Sequence, residues 1–298
     1  MDFTLRKYRE LIVSLKACGL PFIGFGDVAD GNHPVFIVLR HDVDKKPQNA
    51  LEMARLEARE GVKASYHFRA GRDGFEERFI SAIAGLGHET AYHYEDLTTV
   101  SGRLRGRATS IDRKIVDQAI EQYRKNLARL RTLCQVKVIS MHGSPLSPVD
   151  NRLLWKYYDY HSDGILCEPY FDIDMSDTIY LTDTGRRWDG EESSIRDRGI
   201  QTGSGHESDP YAGWKVRPAR GSLMAMTPEG VSLRQKVSVR TTDDLITMSG
   251  PGIMTNRLII NTHPQRWSDA IIPWFAELIF QNLKNPVKKA MKRSKFIT

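Results

Sequence analysis

The chain has 298 residues, 40% of them apolar and 27% charged, the composition of a globular protein with enough apolar material for a core without disulfide support. Its formal net charge is +6, and Lys284, Lys288, Lys289, Lys292, Arg293 and Lys295, in a C-terminal stretch free of acids, account for all of that excess. The body is therefore neutral, which argues against a basic nucleic-acid-binding face.

Cys18, Cys134 and Cys167 form no close metal-type pair, and an odd number argues against a disulfide framework. Residues 1–10 are charged and amphipathic where a signal peptide needs a basic end before an apolar run. No stretch reaches membrane-spanning length. A cytoplasmic protein is the expectation. No linker-like composition precedes the tail, so one domain is expected over 1–283, with 284–298 as a basic extension.

After an N-terminal helix, residues 34–44 read as a buried strand, with Pro47 at the first position of the next helix. Ala50, Leu51, Ala54 and Ala58 recur at helical spacing, Gly61 stops that helix, and residues 62–68 make the next strand. A helix near 75–86, a strand ending at His93, a helix over about 111–133 and a strand ending at His142 continue the alternation. This rhythm predicts an α/β fold with a parallel sheet. From 143 to about 254 it breaks, leaving short strand-like pieces at 178–181 and 222–226. A long irregular segment of this kind is expected to cover a site and select its ligand. The pattern resumes at Leu258, ends a strand at His263, and adds a helix over about 268–282.

Five of these runs end in histidine, at His41, His67, His93, His142 and His263. The C-terminal ends of parallel strands share one side of a sheet or barrel, so five imidazoles are expected to converge there. Asp42 and Asp44 add carboxylates, completing the nitrogen and oxygen donors that a divalent metal needs. His41 and His67 lie inside or beside strands and read as support. His93, His142 and His263 precede polar or turn-forming residues and read as functional. Asp42 and Asp44 share a face if the strand stays extended and diverge if a turn begins at Asp44, so either can face a metal. A charged Asp42 ending an apolar strand is costly unless paired or metal-bound.

Leu39-Arg40-His41-Asp42-Val43-Asp44, Ala64-Ser65-Tyr66-His67-Phe68, Gly87-His88-Glu89-Thr90-Ala91-Tyr92-His93 and Ile260-Asn261-Thr262-His263 resemble, in order and spacing, motifs of the polysaccharide deacetylase family. This is the NodB-homology group, carbohydrate esterase family 4. The likeness covers 34–142 and 258–267, and it is closest to divergent members associated with surface-polysaccharide or O-antigen synthesis. It implies a distorted (β/α) barrel with a long irregular insertion, a divalent metal, usually zinc, and hydrolysis of an N-acetyl group on a sugar. The sequence departs from the family twice. Val43 separates two aspartates that are usually adjacent, and Leu97 stands where a second ligand histidine usually follows four residues after the first. Ligand count then assigns His142 as the third ligand. On this reading Asp44, His93 and His142 hold the metal, Asp42 is the base and His263 the general acid.

The segment Tyr180 to Trp188 joins aromatic, acidic and guanidinium groups suited to a sugar, with Asp183, Arg187 and Trp188 as the expected substrate contacts; a solvated hairpin anchored by one tryptophan is the equal alternative. Asp172, Asp174, Asp177, His206 and Glu207 read as solvated charge. The apolar helix before the basic tail either packs on the body or docks at an anionic membrane, which would suit a lipid-linked glycan. Two other readings stand beside the deacetylase. One is a cyclic-amide hydrolase related to allantoinases. The other is a catalytically silent carbohydrate-binding protein, favoured by Leu97.

Overall fold

The computed structural model describes residues 1–71, 74–103, 112–143, 149–175, 178–188, 239–249 and 257–282. Runs of β-branched and aromatic residues give strands β1 (Phe36–Val43), β2 (Ser65–Phe68), β3 (Glu89–Tyr94), β4 (Val136–Met141), β5 (Ile179–Thr182) and β6 (Arg257–Thr262). All pair in parallel, in the order β4-β3-β2-β1-β6-β5. The first four strands step outward from β1; the chain then returns to the other side, where β6 pairs with β1 and β5 with β6. The expected α/β class and parallel sheet are present. Such a sheet is compatible with a barrel-like fold, but among the described residues no ladder joins β4 to β5, and the free edge of β4 carries an isolated bridge from Val138 to Cys167.

The helices are α1 (Leu5–Lys16), α2 (Phe25–Ala29), α3 (Pro47–Arg59), α4 (Glu77–Gly85), α5 (Asp96–Arg103), α6 (Arg113–Arg131), α7 (Pro169–Asp172), α8 (Thr242–Met248) and α9 (271–282). In α1 the Thr4 hydroxyl accepts from the Lys7 N–H, and Tyr8, Leu11, Ile12 and Leu15 form the buried stripe. Pro47 opens α3 as expected, and Asp112 caps α6. α2, α5, α7 and α8 go beyond the expected helices; α7 lies inside the stretch read as irregular, and so does α8. It carries a readable start signal, since Thr241 and Asp244 form a capping box. The strand expected at 178–181 is β5; the piece at 222–226 and the tail 284–298 lie outside the described residues. No described helix is long and apolar enough to cross a membrane.

Strand register decides which side chains meet. Arg40 stands beside Ser65 and Asn261, Asp42 beside His67, and His93 beside Ser140. Side chains alternate along a strand, so Arg40, Asp42, Ser65, His67, His93 and Asn261 share one face. His41, Val43, Tyr66 and Tyr92 share the other, where the larger apolar core packs against α1, α3, α4 and α6. On the first face a smaller core, including Phe25, Phe36, Val38, Val138 and Ile259, fills the space toward the strands' N-terminal ends. The polar groups gather at the C-terminal ends.

Within the larger core Glu57 of α3 is fully buried. It accepts from Tyr8 Oη at 2.5 Å, Tyr66 Oη at 2.7 Å and His41 Nε2 at 2.8 Å. Burial favours its neutral acid, but His41 and the other donors outweigh that and lower its pKa. His88 is also structural: its Nδ1 accepts from the Ala64 N–H at 3.2 Å and its Nε2 donates to Ala54 O at 2.9 Å. Glu57→Ala should therefore leave three buried donors unmatched and lower the unfolding free energy by about 3 kcal/mol, with a smaller loss for Glu57→Gln. Urea denaturation of the two variants measures this.

Candidate metal centre

β1 ends in a turn in which the Asp44 N–H donates to Asp42 O at 3.0 Å. The two carboxylates consequently diverge. Asp42 stays on the sheet face, where Arg40 Nε donates to Oδ1 at 2.8 Å and Arg40 Nη2 and Asn261 Nδ2 donate to Oδ2 at 3.2 and 3.0 Å. Burial alone would favour the neutral acid, but Arg40, then His93, His263 and His67, hold Asp42 well below the usual carboxylate range.

Asp44 moves outward to meet two imidazoles. His93 Nε2 and Asp44 Oδ1 lie 3.2 and 3.3 Å from His142 Nδ1, and the three groups form a cluster able to hold a metal ion. His93 Nδ1 donates to Ser140 O at 2.9 Å, which leaves Nε2 as a bare lone pair facing the cluster. Burial, the largest influence, pushes the His93 pKa down to about 3, so the ring is neutral at pH 7. Burial likewise lowers His142, whose backbone is fixed by its N–H to Tyr94 O at 2.8 Å and by Asn151 Nδ2 donating to its carbonyl at 3.0 Å.

These donors fit a divalent ion by an observation independent of their number. Asp44 Oδ1 is buried and accepts no hydrogen bond; its cationic neighbour Arg69 Nη1 stays 3.7 Å away, because the same guanidinium holds Glu95 at 2.7 Å. A buried carboxylate oxygen beside imidazole nitrogens, with no hydrogen bond and only a distant, shared guanidinium, is placed to take a closer cation. Ligands about 2.0–2.2 Å from one tetrahedral ion stand about 3.4 Å from one another, close to the two spacings made by His142 Nδ1, and all three donor atoms lie within 4.8 Å of one another. One carboxylate with two imidazoles suits zinc and its first-row neighbours.

A second grouping, Asp42, His67 and His93, shares His93. His67 Nε2 lies 3.0 Å from Ser65 Oγ, whose hydroxyl donates to Glu89 Oε1 at 2.6 Å, so His67 donates to Ser65 and keeps a bare, unpartnered Nδ1. The Arg40 guanidinium already neutralises Asp42, which disfavours a cation at this position relative to Asp44.

His263 follows β6. Its Nδ1 lies 2.7 Å from Asp183 Oδ1, and its own N–H donates to Asp183 Oδ2 at 3.0 Å. Asp183 also accepts from Arg266 Nη1 and from Trp267 Nε1 at 3.0 Å. Burial would raise Asp183, but Arg266 and His263 outweigh it and hold the pKa at about 2. The anion keeps the His263 proton on Nδ1 and Nε2 open to a ligand.

Two expected substrate contacts are corrected. Asp183 is fully buried as the partner of His263, and Trp188 is buried beside Phe3 and Trp267, donating to Thr242 Oγ1 at 3.0 Å. Neither presents a surface to a sugar. Arg187 is exposed. His41 points away from the centre, toward Glu57, while His67 joins it. Leu97 lies in the apolar core and supplies no ligand. Residues missed in the sequence are Arg40 and Asn261, each two positions from a predicted site residue and so on its face, and Arg69, which no pattern marks.

Comparison of the chain with protein-family models, with curated proteins and with solved structures finds no match.

Asp44→Asn, His93→Ala and His142→Ala should each weaken zinc binding by about 100-fold or more, whereas Arg187→Ala should not; calorimetric titration of metal-stripped protein measures both. Asp183 also sets an acid-side dependence. A carboxylate held below its unfolded pKa of about 3.9 adds stability above that value and loses it as pH falls toward the folded one, a difference of roughly 2 to 3 kcal/mol. The fall in unfolding free energy between about pH 4 and pH 2 should therefore be shallower in Asp183→Asn than in the unmodified chain.

Proposed function

We propose that the protein is a metal-dependent amide hydrolase that removes the acetyl group from an N-acetylated sugar of a surface polysaccharide or its precursor. The observation that carries this reading is Asp44 Oδ1, buried without a hydrogen bond 3.3 Å from His142 Nδ1, which itself stands 3.2 Å from His93 Nε2. Asp44, His93 and His142 hold the ion, with zinc favoured by the donor set. When bound, such an ion supplies a Lewis acid for the amide carbonyl and an acidified water.

The remaining steps fall to the chain's own groups. His263, its Nδ1–H held by Asp183, takes the proton given up by the attacking water at Nε2 and passes it to the departing amine, and Asp183 stabilises the intervening imidazolium from the opposite nitrogen. Asp42 lies 3.8 Å from His93 Nε2 and is kept ionised by Arg40 and Asn261. An anion so strongly paired is a weak proton sink, so its role narrows from base to acceptor that orients the attacking water. The Asp183–His263 pair also weighs against a silent binder, which has no use for an oriented proton donor.

Acetate release from N-acetylated sugar nucleotides and lipid-linked N-acetyl sugars, assayed on zinc-loaded protein, tests the reading. His263→Ala should keep its metal and lose about 100- to 10,000-fold in turnover, the usual yield of general acid catalysis. Undiminished turnover in that variant would remove His263 from the mechanism. Zinc-loaded protein that releases no acetate but opens a cyclic amide would replace the sugar deacetylase with the allantoinase-related reading.

A further inference from the structure

α9 has its polarity reversed. Ile271, Ile272, Phe275, Ile279 and Phe280 are exposed, Ile272 to 82%, whereas Gln281 is 6% exposed and donates to Glu277 Oε1 at 2.7 Å. At 100° per residue the five apolar side chains cover one half of the helix, and Trp274, Leu278 and Gln281 cover the other. That second half is already docked. Trp274 Nε1 donates to Asp2 O at 2.7 Å, and the Arg186 guanidinium lies 4.6 Å over the Trp274 ring while donating to its carbonyl at 3.4 Å. The apolar half is thus a contiguous exposed patch on a helix whose inward side is spoken for, and such patches mark interaction surfaces.

The residues that follow identify the occupant. Between 283 and 298 the sequence carries Lys284, Lys288, Lys289, Lys292, Arg293 and Lys295 and no acid. A nucleic acid would take these cations and leave the isoleucines and phenylalanines in water. A second copy of this chain would cover the apolar side chains but bring like charge against like charge. An anionic bilayer satisfies both features.

We propose that α9 docks at an anionic lipid surface, its apolar half entering the boundary between headgroups and acyl chains while the following cations pair with lipid phosphates. Arg186, which holds α9, also donates to Arg266 O at 3.5 Å, three residues beyond His263. Docking therefore holds the candidate centre at the lipid surface, whatever reaction occurs there.

Cosedimentation of the full chain with vesicles tests this. The chain should bind phosphatidylcholine vesicles containing about one-third phosphatidylglycerol at least about ten-fold more tightly than pure phosphatidylcholine. Ile272→Ser/Phe275→Ser/Ile279→Ser should weaken that binding by at least about ten-fold with an unchanged thermal melt, since all three positions are exposed. Lys288→Glu/Lys289→Glu/Lys292→Glu should weaken it similarly, and leaves residues 271–282 unchanged, so it tests the proposal even if the serine variant misfolds. Absence of binding, equal binding to both vesicles, or undiminished binding by the serine variant overturns the proposal. So does a dimer in sedimentation that the serine variant dissolves while vesicles go unbound.

Discussion

A carboxylate removed from water has to be matched by positive charge or by donors, and this fold buries several. Asp42 is matched by Arg40 and Asn261, Glu57 by two tyrosines and His41, and Asp183 by His263, Arg266 and Trp267. Glu168 accepts from the Met141 and Tyr170 N–H groups, and burial, outweighing these and the nearby Arg152, pushes its pKa up to about 7. Against this pattern Asp44 stands apart, with one oxygen facing imidazole nitrogens and its nearest guanidinium engaged by Glu95. The reading of the centre as a cation site rests on that mismatch.

Much of this arrangement is legible in the chain. Strand after strand ends in a histidine, and a parallel sheet gathers such ends, so Asp44, His93 and His142 meet although 98 positions separate the first from the last. What the pattern cannot carry is the direction of each side chain near a strand end. A two-residue period puts His41 and Asp42 on opposite faces, so a histidine beside a site aspartate belongs to a different network, with Glu57. Asp183 misleads for another reason. A loop of aromatic, acidic and guanidinium groups has the composition of a sugar site, yet it also has that of a buried ion pair, and only the fold distinguishes them. The Gly87-His88-Glu89 segment is similar: distinctive in sequence, it serves the scaffold. His88 braces α3 against β2, and Glu89 accepts the first N–H groups of α2 at 2.8 Å, so tightly that a Cβ on Gly24 would come within 2.7 Å of its carboxylate.

The two sheet faces divide the labour. The face toward α1, α3, α4 and α6 carries most of the apolar burial, with the Glu57 network fixing α1 and α3 against it. The opposite face carries a smaller core and then, toward the strand ends, charge. This division lets a costly cluster of ionisable groups rest on strands whose other side is strongly anchored, and keeps the imidazoles in fixed orientations through backbone carbonyls such as that of Ser140.

The setting of two imidazoles at the ends of neighbouring strands has a mechanical corollary. His93 lies in β3 and His142 directly follows β4, which is the border of the sheet among the described residues. An ion gripped between them would act as a rivet across that seam, resisting the fraying to which border strands are prone. Loading and the integrity of the sheet's margin would then be two readings of a single equilibrium.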